Sequence, residues 1–268
     1  MARIAVSTQL YADVKLEQLW SLLEKAADSR IGVEIFPEPQ LTRYAPALQQ
    51  AMPQLRQRTI TFHGPYWGID PCFLPPEPEA AVYEKYWRQT LADAKALSAV
   101  YVVYHLYNFH FAPEERQAKR AAAMEALERT RRWAAEYGVK LAIENTETSR
   151  NEEENLLTQQ EFVDLVQAQT DCGVLLDIGH VACAGWDLTQ LMATLSERIV
   201  GYHLHSNNGF ADSHLPILQG TIDMERFAAD VHRYTPEAIL TLEYNPRFAD
   251  DEERICADLM WLKNHGLG

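Results

Sequence analysis

The sequence lacks several features that mark whole classes of protein. No stretch approaches the ~20 consecutive apolar residues of a membrane span, and the N-terminus turns polar too soon for a secretory leader. The four cysteines are far apart and form no C-x-x-C pair, so neither a disulfide scaffold nor a thiolate zinc site is expected. We therefore expect a cytoplasmic protein with no membrane partner.

Basic side chains are also scarce. The 268 residues carry 24 Lys and Arg against 38 Asp and Glu, a formal charge of −14. Affinity for nucleic acid rests largely on cationic side chains that displace counterions from phosphates, so we expect no nucleic-acid partner. With 47% hydrophobic and 23% charged residues, the composition is that of an ordinary globular protein.

What the sequence has is a regular alternation of short apolar runs and stretches with helical periodicity. The predicted strands are 3–7, 31–36, 58–63, 100–105, 139–144, 174–177, 199–205 and 239–243. The predicted helices are 16–28, 41–52, 80–98, 113–137, 158–169, 187–196, 223–234 and 250–264. Eight such units at roughly 34-residue spacing are typical of a (β/α)8 barrel. An open doubly wound sheet would carry a glycine-rich loop after the first strand, where this chain reads Ser7-Thr8-Gln9.

We predict one α/β domain, a single (β/α)8 TIM barrel over residues 1–268, because no linker divides the chain. The proline-dense segment Pro65–Pro78 is long for a strand-to-helix connection and is interpreted as a lid or pocket wall. The acidic segment Asn145–Asn155 is interpreted as a solvated loop.

Polar residues fall where the predicted strands end, which is where a barrel of this kind builds its active site. These residues are His63, His105, Glu144, Asp177, His203, His205 and Glu243. Side chains alternate between the two faces of a strand. If Glu144 points into the barrel, Ala142 does too, whereas Ile143 faces the helices.

Three carboxylates gathered at one barrel mouth would repel one another unless a positive charge lay among them. No Lys or Arg ends these strands, but histidines do, and His with Asp and Glu is the ligand chemistry of a divalent metal ion. His180, in D-I-G-H, and the pair Asp212 and His214, in D-S-H, are further candidates. We therefore predict at least one metal ion at the mouth.

Seven segments then resemble a known family when taken in order. They are G-V-E-I-F (32–36), F-H-G-P-Y-W (62–67), L-A-I-E-N (141–145), L-L-D-I-G-H (175–180), Y-H-L-H-S-N-N-G (202–209), H-L-P-I-L-Q-G-T-I-D (214–223) and L-E-Y-N-P (242–246). The chain resembles the xylose-isomerase-like TIM barrel superfamily, the sugar-phosphate isomerases and epimerases related to endonuclease IV.

The resemblance implies a divalent-metal-dependent isomerase or epimerase of a sugar or sugar phosphate. A single ion, Mn or Zn ahead of Co or Mg, would be held by Glu144, Asp177, His203 and Glu243. Glu144 and Glu243 would also be the catalytic pair. One removes a proton beside a carbonyl and the other returns it on the opposite face, through a metal-bound enediolate. The partner would be a small carbohydrate, and a homodimer is compatible with the family.

Other functions remain open from the sequence. A metal-dependent dehydratase of a keto-sugar or cyclitol would use the same ion and base, whereas a non-catalytic sugar-binding barrel would have no need of paired glutamates. An endonuclease IV-like phosphoesterase would hold a three-zinc cluster with nine ligands. All nine have counterparts of matching type here, namely His63, His105, Glu144, Asp177, His180, His203, Asp212, His214 and Glu243. The acidic loops around the mouth argue against a DNA substrate.

The remaining candidates are assigned less narrowly. His63, His105 and His180 would contact substrate or, in a multinuclear site, further metal ions. His205 is a candidate for substrate contact or for polar packing. Arg247 would hold a substrate anion or form a salt bridge with Asp250 or Asp251.

Overall fold

The computed structural model describes residues 3–11, 16–72 and 78–268. Eight parallel strands pair in chain order, and β1 also pairs with β8, which closes the barrel. The strands are β1 (Ile4–Ser7), β2 (Gly32–Ile35), β3 (Ile60–Phe62), β4 (Val102–Tyr104), β5 (Leu141–Glu144), β6 (Gly173–Asp177), β7 (Ile199–Leu204) and β8 (Ile239–Leu242). The predicted (β/α)8 barrel is confirmed.

The helices cover the outside of this barrel. They are α1 (Leu16–Lys25), α2 (Tyr44–Leu55), α3 (Pro78–Ala96), α4 (Arg116–Tyr137), α5 (Gln159–Ala168), α6 (Ile178–Ala184), α7 (Leu188–Thr194), α8 (Met224–Tyr234) and α9 (Glu252–Asn264). Within the described ranges, no helix is long and apolar enough to cross a membrane.

Helix α6 was not predicted from the sequence. It begins directly after β6, because the Asp177 side chain accepts a hydrogen bond from the His180 backbone N–H at 2.7 Å and so caps the first turn. It ends at Gly185, whose φ of 71° is a left-handed conformation that glycine adopts without strain. This short helix turns the chain sharply at the end of β6.

The core has two parts, as strand alternation predicts. A small cluster inside the barrel contains Ala142 together with Tyr101 and Leu175. The larger cluster lies between strands and helices and contains Leu141 and Ile143. The predicted facing of β5 is therefore confirmed.

Gly201 on β7 faces into the barrel. A Cβ atom at this position would lie 2.2 Å from the Tyr101 hydroxyl oxygen, so the large ring of Tyr101 occupies the space that a side chain at residue 201 would need. The small inward-facing residues of one strand thus accommodate a large one from another.

Candidate metal and substrate site

The ends of β5, β6, β7 and β8 bring four predicted ligands together around one imidazole nitrogen. His203 Nδ1 lies 3.3 Å from Glu243 Oε2, 3.4 Å from Glu144 Oε1 and 3.9 Å from Asp177 Oδ2. The four residues are called here the central cluster, and none of them is more than 3% exposed. Residues up to a hundred positions apart in sequence therefore converge where the barrel opens.

Glu144 also belongs to a second group. Its Oε2 lies 2.8 Å from His105 Nε2, and His105 Nε2 lies 3.1 Å from His63 Nε2. The His63 ring is fixed because its Nδ1–H donates to the carbonyl oxygen of Gly64 at 2.7 Å. The two oxygens of Glu144 thus face different groups.

A third group lies on the other side, beside α6. Asp212 Oδ2 lies 3.2 Å from His214 Nε2 and 3.4 Å from His180 Nε2. The His205 ring stacks on His214 with centroids 3.8 Å apart, and its Nε2 lies 2.9 Å from Asp177 Oδ2. His205 is fully buried, which favours polar packing over substrate contact, the two roles expected for it.

Donor chemistry in all three groups suits a divalent cation. In the flanking groups, and for Glu144, Asp177 and His203 of the central cluster, the imidazole and carboxylate ligand atoms lie within 4.8 Å of one another. Glu243 forms further sets of this kind, with His203 and Glu34 and with Asp177 and His205. Imidazole with carboxylate is the ligand set of zinc and of other first-row transition ions. The residues therefore fit one ion at the central cluster, and the two flanking groups have the ligands for more.

Protonation balances much of the buried charge when no ion is present. Burial raises the pKa of Glu243 to about 8, although His203 and His214 oppose it. For Glu144, by contrast, the neighbouring His105 and His203 outweigh burial and hold the pKa well below its usual range. Burial lowers the pKa of His203, but surrounding carboxylates outweigh it and raise the pKa well above the ordinary value.

A cavity of about 340 Å³ opens above these groups, within the range typical of small-molecule sites. Of the central cluster, Glu144 and Glu243 line it, whereas Asp177 and His203 lie beneath. Its aromatic wall consists of Phe36, Tyr66, Trp67, Tyr107 and Phe109. No Lys or Arg appears among its lining residues in the part of the chain that is described.

The proline-dense segment contributes to the cavity wall, whereas Arg247 lies outside the cavity. Tyr66 and Trp67 line the cavity, as expected for a pocket wall, whereas positions 73–77 of that segment lie outside the described residues. Arg247 does not line the cavity and has no ion pair with Asp250 or Asp251 among the described contacts. Its side chain is exposed, with the guanidinium 4.8 Å from the centre of the Phe248 ring.

The interpretation of 145–155 as a wholly solvated loop was wrong. Asn145, Glu147 and Asn155 are each at most 1% exposed. The Asn145 amide exchanges two hydrogen bonds with the Asp177 backbone, at 2.9 and 3.1 Å, which ties the end of β5 to the end of β6. Glu147 accepts the backbone N–H groups of Thr146 and Leu157. Residues 150–154, which include the E-E-E triplet, are exposed. The acidic composition of the segment does not distinguish this part from the buried loop anchors.

Glu34 is a further buried residue at the site, and no role was predicted for it from the sequence. It lies on β2, is fully buried, and accepts hydrogen bonds from His203 Nε2 at 3.0 Å and from the Thr61 hydroxyl at 3.1 Å. The available signal was its place two residues after Gly32 in G-V-E-I, the same alternation that marks Glu144 after Ala142.

Comparison with known proteins agrees with this architecture. The family model described as "Xylose isomerase-like TIM barrel" matches residues 16–265, and the chain belongs to that family. An uncharacterised protein of Methanocaldococcus jannaschii is 27% identical over 116 residues, which cover 41% of this chain and 38% of the relative. The chain therefore aligns with less than half of that curated relative's length.

Solved structures match over nearly the whole chain. A D-tagatose 3-epimerase-like protein has a TM-score of 0.76 at 22% identity, covering 99% of this chain and 100% of its own. A family 2 AP endonuclease from Brucella melitensis has a TM-score of 0.71 at 19% identity, with 98% and 99% covered. The IOLI protein, solved with a bound zinc atom, has a TM-score of 0.74 at 17% identity, with 97% of each chain covered. At these identities the likeness establishes the shared fold.

Proposed function

We propose that this protein is a divalent-metal-dependent isomerase or epimerase of a small sugar. The observation that carries the proposal is which side chains of the central cluster reach the cavity. The three carboxylates of the cluster converge on His203 Nδ1, yet of the four side chains only the two glutamates line the cavity. Two carboxylates that both meet the cation site and the substrate space are what proton removal and return require.

The central cluster would hold the ion through Glu144, Asp177, His203 and Glu243. A divalent ion there would polarise neighbouring carbonyl and hydroxyl oxygens of a sugar and so acidify the adjacent C–H bond. One glutamate then takes the proton from that carbon and the other returns a proton from the opposite side. The aromatic wall, with Tyr66 and Phe109, excludes water and packs on the apolar face of a sugar ring.

Solvent proton exchange tests this proposal directly. The metal-loaded protein, incubated with a panel of ketoses in deuterated water, is expected to exchange a carbon-bound hydrogen beside the carbonyl, followed by NMR. Glu144→Gln and Glu243→Gln should each abolish the exchange while circular dichroism stays that of the folded protein. Glu153→Gln, which changes an exposed carboxylate, is the matched control and should exchange like wild type.

Full exchange activity in either cavity variant would remove that glutamate from the mechanism. Absence of exchange with every ketose and keto-acid tried, in a protein that carries its ion, would count against the isomerase assignment as a whole.

A second candidate is a metal-dependent phosphoesterase, and the two flanking groups favour it. With the central cluster they supply all nine ligand types of a three-ion site. The lining of the cavity argues the other way, since its described residues offer no Lys or Arg to a phosphate backbone. Metal analysis separates the two functions: about one ion per chain supports the isomerase, and about three ions with cleavage of abasic DNA support the phosphoesterase.

A further inference from the structure

Glu34 has an environment that a carboxylate tolerates only with specific partners. It is fully buried inside the barrel on β2, and taking a carboxylate out of water is strongly unfavourable unless hydrogen bonds replace the water. Both oxygens are used: Oε1 faces His203 Nε2 at 3.0 Å and Oε2 faces the Thr61 hydroxyl at 3.1 Å. Glu34 does not line the cavity, so it does not meet a substrate held there.

The contact with Glu34 determines which side of the His203 ring meets the other ligands. Nε2–H donates to Glu34, so Nδ1 is the nitrogen directed at the opposite side, where Glu144 and Glu243 lie 3.4 and 3.3 Å away. A histidine ligand must present a bare nitrogen to a metal ion. A carboxylate on its other nitrogen fixes both the tautomer and the ring orientation.

The position of Glu34 is itself held by neighbours in the sheet. Glu34 pairs in register with Thr61 on β3, and the Thr61 hydroxyl donates to the carboxylate oxygen that His203 does not use. Three strands, β3, β2 and β7, are therefore linked through side chains beneath the cavity. Such a chain limits rotation of the His203 ring about its Cβ–Cγ bond.

We propose that Glu34 is a positioning residue that orients His203 as a metal ligand, acting through the Nε2–H hydrogen bond without touching substrate. This inference rests on the proposed function only in taking the central cluster to hold a divalent ion. It makes no use of the identity of the sugar or of the reaction.

The test measures metal affinity in variants of the full-length protein, with no substrate present. Zn²⁺ affinity is obtained by competition with a chromophoric chelator, and Co²⁺ absorption reports on coordination number. Glu34→Ala is expected to weaken Zn²⁺ binding roughly 10- to 100-fold, the usual cost of losing such a partner. Glu34→Gln keeps an acceptor oxygen of the same reach and is expected to recover most of that loss.

Thr61→Val should give a smaller loss than Glu34→Ala, since it removes only the outer hydrogen bond. Thr130→Val is its matched control: Thr130 is also fully buried and its hydroxyl lies 2.9 Å from that of Tyr83, away from the central cluster. Thr130→Val should bind Zn²⁺ like wild type even if it unfolds at a lower temperature. If Glu34→Ala does not fold, the volume-conserving Glu34→Gln and Thr61→Val carry the comparison.

Folded Glu34→Ala that binds Zn²⁺ with wild-type affinity would overturn the proposal. A Co²⁺ spectrum of Glu34→Gln that shows the loss of a directly bound oxygen would also overturn it, because Glu34 would then itself be a ligand. The wild-type protein could bind Zn²⁺ tightly, yet exchange no sugar proton, while Glu34→Ala binds Zn²⁺ more weakly. That result would support the role of Glu34 and refute only the proposed reaction. A wild-type protein that binds no ion would overturn both.

Discussion

The buried carboxyl of Glu147 should make the free energy of unfolding fall as the pH rises. Its side chain is 1% exposed, and burial raises its pKa from 4.5 to about 7 against the opposing hydrogen bonds from backbone N–H groups. Between those two values the unfolded chain loses a proton that the native state keeps. An acid whose pKa is raised by folding therefore stabilises least at high pH, and the shift corresponds to a penalty of about 3 kcal/mol above about pH 7.

Glu147→Gln removes the titration and keeps an acceptor oxygen for one of the two backbone N–H groups, since Thr146 and Leu157 donate to different oxygens of Glu147. The lost hydrogen bond lowers stability at every pH and leaves the comparison of pH dependence intact. Urea unfolding of metal-free protein should show wild type losing about 2.5 kcal/mol relative to this variant between about pH 5 and pH 8. Glu153→Gln, in the exposed part of the same segment, should follow wild type across that range. Parallel curves for wild type and Glu147→Gln would refute the reasoning, because they would mean that Glu147 loses its proton at the same pH in both states.

Three further perturbations have outcomes set by the structure. In Gly179→Ala the new Cβ would lie 2.0 Å from a carbon of the buried His205 ring, so urea unfolding should show a loss of at least about 1–3 kcal/mol, and wild-type stability would contradict this packing. Gly201→Ala should be destabilised similarly by its 2.2 Å approach to the Tyr101 hydroxyl. Adding Tyr101→Phe to that variant should recover part of the loss, and no recovery would place the strain elsewhere. Chelation of metal-loaded protein should lower Tm and readdition of the ion should restore it, since an ion at 100 times its Kd contributes about 2.7 kcal/mol; an unchanged Tm would show that no ion binds the native state.

Much of this architecture could be predicted from local patterns. The alternation of apolar runs with helical stretches predicted eight strands, and all eight are present within two residues of the expected bounds. The central cluster could be predicted because parallel strands of a barrel end on one face. Glu144 and Asp177 each terminate an apolar run, so chain position alone placed them together.

The residues that escaped prediction are those whose role depends on a partner across the barrel. Strand alternation places Glu34 on the same face as Gly32, but its role is evident only when His203 and Thr61 are seen beside it. A single glutamate in a strand is also compatible with a solvent-facing position. Glu147 differs from the exposed glutamates at 152–154 only in having backbone N–H groups folded around it. Helix α6 is short enough that its pattern was absorbed into the turn after β6, although Asp177 and Gly185 mark its two ends.

Glu144 lies between the central cluster and the group formed with His63 and His105, so its substitution can show how many ions the protein binds. Its Oε1 faces His203 in the central cluster, whereas Oε2 faces His105 in the flanking group. The side chain of Glu243 belongs to the central cluster and lies 3.8 Å from His214 Nδ1. That nitrogen already donates to the Glu243 carbonyl oxygen at 2.9 Å.

If one ion binds, Glu144→Gln and Glu243→Gln should weaken the binding of that same ion and leave equal metal contents. If three bind, Glu144→Gln should weaken two ions and Glu243→Gln one, so metal content after dialysis against a weak chelator should be lower in Glu144→Gln. Equal loss from a wild-type protein that carries three ions would show that Glu144 does not bridge the two groups.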